Sequence, residues 1–187
     1  MTLTTEWSVR GIVRATLPVL VVLTLFELGG GLVLGRFEAT LLRFPSLLVL
    51  VPVSIGTAGN LGSVLASRLS TAVHLGTVSF EPTDDVLAGD AAATVGLAVA
   101  LFPLLGVAAW ALAAVTGGGE LPLGTVTLVA ALAGLALSVL AVVVTVGATY
   151  AAYRLELDPD DVVIPVVTNT CDVLGVLVLF AVVRLVV

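Results

Sequence analysis

The chain has 187 residues, 59% of them apolar and 11% charged, with a net charge of −6 at neutral pH. Its mean hydropathy of +1.24 lies far outside the range of water-soluble domains, which excludes an ordinary soluble enzyme or binding module and points to an all-α integral membrane protein, multi-pass and surrounded by lipid. All seven basic residues are arginines against thirteen acids, a balance that argues against nucleic acid as a partner and suits attraction of cations.

Residues 1–14 read as a short N-terminal arm and residues 15–187 as a five-helix membrane domain. The arm contains Glu6 and Trp7, and the apolar run after it is long enough to remain in the bilayer, so it is read as a first span rather than a cleaved leader. That span, residues 15–34, holds Glu27 followed by Gly29, Gly30 and Gly31. The pattern Gly31-x-x-x-Gly35 permits close helix contact. Glu27 has two readings, a second ion ligand or an acid near the wet end of its helix. Arg36, Glu38 and Arg43 form a short charged connection.

The second span, residues 45–67, is unusually polar: Pro52, Ser54, Gly56, Thr57, Gly59, Asn60, Gly62 and Ser63 follow one another closely. Such groups are tolerated at membrane depth where they line a cavity or pack against other helices, not where they face lipid. No Gly-Lys-Ser/Thr follows the glycines, which argues against a phosphate-binding loop. Residues 68–88 read as the longest polar connection, with His74 as a solvated loop residue. Asp90 opens the third span, residues 91–115, and is either a favourable first-turn acid or a pore-mouth group. A tight connection at residues 117–124 includes Glu120. The fourth span, residues 125–150, has no charge and reads as packing scaffold, with Tyr150 and Tyr153 at its interfacial end.

The last span, residues 162–183, carries Asp172. Entry after the acidic turn Asp158-Pro159-Asp160-Asp161 places this carboxylate roughly 15 Å deep, near the centre of a ~30 Å hydrocarbon core. An ionised group there costs at least ~2.5 kcal/mol unless it meets water, a partner or an ion. Thr168, Asn169 and Gly175 share its helix face, so oxygen-bearing side chains accompany the acid, as a hard-cation site requires. Asn60 lies at a similar depth by the same arithmetic. Cys171, the single cysteine, reads as a small packing residue.

Two stretches resemble a known family. The first runs from Pro52 through Gly59-Asn60-Leu61-Gly62 to Leu65-Ala66-Ser67-Arg68-Leu69-Ser70-Thr71; the second is Asp158-Pro159-Asp160, Ile164-Pro165 and Asp172-x-x-Gly175. Together they are similar to the membrane domain of the MgtE-type divalent-cation (magnesium) transporters, and most of all to the eukaryotic solute-carrier branch. The resemblance implies a plasma-membrane protein in which Mg2+ is the transported ion. It also implies a homodimer, with a pore at the two-fold axis lined by spans two and five and Asp172 as the central acid. Gly59, Asn60, Thr168, Asn169 and Glu27 complete the candidate ligands. A glutamine common in bacterial members after the Gly-Asn motif has Val64 near its place. Two alternatives remain open on the sequence: transport of another divalent ion coupled to Na+ or H+, and a non-transporting membrane subunit paired with a sister chain. No Ser/His or His/Glu constellation suggests an enzyme.

Overall fold

A computed structural model of the protein describes residues 9–81, 83–117 and 121–187. The first eight residues of the expected arm and Glu120 lie outside the described residues. Six helices follow in order: α1 (Val9–Gly35), α2 (Glu38–Arg43), α3 (Pro45–His74), α4 (Asp85–Val115), α5 (Leu123–Arg154) and α6 (Pro159–Val186). All but α2 are long and apolar enough to cross a membrane. At 1.5 Å per residue their 27 to 32 residues span about 40–48 Å, more than the ~30 Å core, which requires tilt or protruding ends.

Protrusion accounts for two differences from the sequence reading. Among the described residues α1 is already helical at Val9, placing Arg10 and Arg14 on the helix rather than in an arm. Helix α3 continues through Arg68 to His74, leaving a connection of residues 75–84 instead of 68–88. His74 is therefore in a last helical turn, its Nδ1 2.9 Å from the Ser70 carbonyl oxygen. Gly76 closes α3 with φ +65° and Gly117 closes α4 with φ +82°, the left-handed positions after a helix end that favour glycine. At the other ends, Asp84 accepts hydrogen bonds from the Val86 and Leu87 amides, and Asp158 accepts one from Asp160 with Pro159 in the first helical position. These are ordinary N-caps.

The charged connection after α1 is partly helical. Phe37 stacks on Phe180 of α6 with ring centroids 3.8 Å apart, and Arg184 lies over the same ring at 5.4 Å, fastening α2 to the bundle.

Helix α5 is the scaffold, packed against α3, α4 and α6, with Val126, Val129, Ala130, Ala133, Leu137 and Ala141 fully buried. Helix α1 is peripheral and rests on α6. Its close approach is at Gly30, where an added Cβ would meet Val173 Cγ2 at 3.1 Å; Gly31 and Gly35 have open space instead. The expected Gly31-x-x-x-Gly35 contact is thus replaced, because α1 turns Gly30 toward α6.

Candidate ion site

Helices α3 and α6 cross closely because glycines remove the side chains between them. A Cβ on Gly59 would sit 3.7 Å from Thr168 Cα, one on Gly62 would collide with Val167, and one on Gly175 would meet Ile55 Cγ1 at 3.1 Å. Rising numbers on α3 face falling numbers on α6, so the pair is antiparallel. The crossing also corrects the depths. Asn60 stands level with Thr168 and Asn169, about 6 Å or one helical turn from Asp172. The similar depth expected for the two residues is off by this turn, because α3 does not end near Arg68 but runs on to His74.

At the Asp172 level, residues of α1, α2, α3 and α6 line an open-sided cavity of about 570 Å³. Glu27 and Asp172 both line it, close enough for one carboxylate to bear on the other. Pro52, Ile55 and Gly56 contribute the α3 wall, Gly30 and Gly31 that of α1. Pro52 has no N–H to offer one turn back, which leaves the carbonyl of Leu48, another lining residue, without its helical donor. Two carboxylates therefore line a space otherwise walled by small and apolar groups. Among the described residues no cluster of three or more His, Cys, Asp or Glu side chains is gathered for a metal.

The remaining candidates form a second layer. Asn60 is exposed on the outer face of α3, as are Pro52 and Gly56. Asn169 donates from Nδ2 to the Pro165 carbonyl at 2.9 Å, which turns its amide oxygen free to accept. Thr168 donates to the carbonyls of Ile164 and Pro165 at 3.1 and 3.2 Å, and its methyl packs over Gly59. Thus Glu27 and Asp172 come together, Asn60 and Asn169 lie one turn away, and Thr168 and Gly59 make the helix crossing. Cys171 is buried.

One polar contact was not anticipated. Arg68 pairs with Asp90 of α4, Nη2 to Oδ1 2.6 Å and Nε to Oδ1 2.8 Å. Neither reading of Asp90 included it, and the available signal was an arginine near one helix end followed by an acid at the next helix start.

The chain is thus a polytopic helical bundle with two half-buried acids beside a glycine-lined opening. The family model of the MgtE divalent cation transporters matches residues 51–182, most of the chain and nearly all of α3 to α6. The chain belongs to this family. No solved structure matches it.

Proposed function

We propose that two copies of the chain form a plasma-membrane magnesium transporter whose pore runs along their two-fold axis, lined by α3 and α6, with Asp172 as the central ion-binding acid. The observation that carries this reading is where the polar groups open. Pro52, Gly56 and Asn60 are exposed on the outside of a single chain, and the cavity holding Asp172 adjoins that face. Lipid tails cannot satisfy a midplane carboxylate or exposed amide. A second copy placed against this face covers it and doubles the acids.

Magnesium suits the donor set. It keeps several waters, demands octahedral oxygen geometry and takes one or two carboxylates rather than an all-protein cage. Asp172 and Glu27 attract the hydrated ion, while Asn60 and Asn169 offer neutral oxygens to its water shell one turn away. Two carboxylates facing across an axis repel each other, and a divalent ion between them removes that repulsion. The Gly59-Asn60-Leu61-Gly62 and Leu65-Ala66-Ser67-Arg68 stretches favour kinship with the solute-carrier branch.

The test has two parts. Purified protein in liposomes is expected to take up Mg2+, with Mn2+, Co2+ and Ca2+ tried as competitors. Asn60→Cys in a Cys171→Ala background is expected to cross-link into a dimer under mild oxidation in the membrane. Uptake of another divalent ion in preference to Mg2+ overturns the selectivity. Absence of cross-linking in Asn60→Cys, with cross-linking of Val143→Cys on α5 in the same background instead, overturns the interface.

A further inference from the structure

Helix α3 carries a single arginine, Arg68, eight residues beyond Asn60. Since α3 and α6 run antiparallel, Arg68 stands at the end of the bundle where α6 begins with exposed Asp160 and Asp161. At ~100° per residue, Arg68 is rotated about 80° from Asn60, while Ser67 and Thr71 lie within about 20° of it. A side chain of that length reaches either across the polar face or away from it toward α4.

It goes to α4. The guanidinium side chain is 64% exposed, but Asp90, which receives it, is only 9% exposed. The Thr94 hydroxyl donates to the Asp90 carbonyl at 2.8 Å, fixing the turn that presents the acid. Burying a carboxylate among membrane helices costs more than an apolar residue would, so packing alone does not explain Asp90. An unpaired guanidinium at the mouth of a cation path does. In water a unit charge about 10 Å from a divalent ion alters its local occupancy about threefold at low ionic strength, and salt screens the effect.

We infer that Asp90 is a positioning residue for transport: it clamps Arg68 against α4, cancels its charge and keeps the α6 end of the pathway attractive to divalent cations. The inference rests on the transport reading above. It requires no contact between the ion and either residue.

The experiment measures initial Mg2+ uptake into liposomes at low and high ionic strength, set with N-methylglucamine chloride, for wild type, Asp90→Asn, Arg68→Gln and the double variant. Asp90→Asn is expected to fall about threefold at low ionic strength and to converge on wild type at high. The double variant is expected to match wild type at both, and Arg68→Gln to be no slower. A loss in Asp90→Asn that is equal at both ionic strengths and persists in the double variant makes the pair merely structural and overturns the inference. Unchanged uptake in Asp90→Asn overturns it as well. Wild type that moves no divalent cation sinks the transport reading and this inference with it, which separates the two failures.

Discussion

The seam between α4 and α5 and the wall of the cavity beside Asp172 use the same small residues to opposite ends. At the seam, glycine closes space: the Phe102 ring occupies the place a Gly134 side chain would take, and a Cβ on Gly106 would lie 2.7 Å from Thr127 Cα. On the other face, Gly31 and Gly56 have nothing within 4 Å of an added Cβ, and both line the acidic cavity. One region spends its glycines on helix packing, where association in lipid depends on close contact. The other leaves room beside two carboxylates. Composition alone, glycine-rich in both, does not separate these uses.

The same substitution placed in each region breaks the comparison most sharply. Gly134→Val displaces Phe102 from a filled site and is expected to cost about 1–3 kcal/mol or more by overpacking, read as a lowered thermal midpoint in detergent. Gly56→Val is expected to leave that midpoint unchanged while reducing Mg2+ uptake, because its new methyl groups enter the cavity. Equal loss of stability in both variants would show the face to be as closely packed as the seam.

Within the open face, Glu27→Gln is expected to lower uptake about tenfold, the scale of one charged contact worth ~1.5 kcal/mol, and to leave the thermal midpoint unchanged or raised, since a like-charge neighbour of Asp172 is removed. Asn60→Ala has a smaller expected effect, about threefold on uptake, as for one neutral hydrogen bond, with no change in stability.

The smallest effect lies at the start of α4, away from the acidic cavity. Asp84 accepts hydrogen bonds from the Ser79 amide and hydroxyl at 2.6 and 2.9 Å as well as from the first turn of α4. The Ser79 amide, first among these, holds the Asp84 carboxyl down at about 2, below the usual aspartate value of 3.8. A depressed carboxyl contributes its stability in full above the unfolded-state value and loses it as pH falls through the folded one. The difference in thermal midpoint between wild type and Asp84→Asn is thus expected to be constant from pH 7 to 5 and to shrink between about pH 4 and 2. A difference that shrinks already between pH 7 and 5 contradicts this cap.

Five spans were legible because hydropathy over about twenty residues is a strong, local signal. Their ends were not. Helices α3 and α6 outrun the hydrocarbon, and Arg68 and His74 look like loop residues until the helix is seen to continue. The six-residue α2 is too short for periodicity, and its fastening by Phe37 and Phe180 joins residues far apart in sequence. Asp172 stood out because an acid amid apolar residues needs a reason. Its nearness to Glu27, the one-turn offset of Asn60 and the choice of Gly30 over Gly31 depend on how helices rotate against each other, which a single sequence does not encode locally. The Arg68–Asp90 pair was hidden for the same reason, its partners belonging to different helices.

The most direct test of the account is Mg2+ uptake by liposomes holding Asp172→Asn, a nearly isosteric change that removes the charge and leaves the packing of Val173 and Gly175 intact. The account requires wild type to transport and the variant, with the same thermal midpoint and the same dimer, to lose uptake by about a hundredfold, as expected when the hydrated ion loses a charged partner worth ~3 kcal/mol. Equal uptake by the two proteins would mean that the midplane carboxylate is structural and that the ion passes elsewhere.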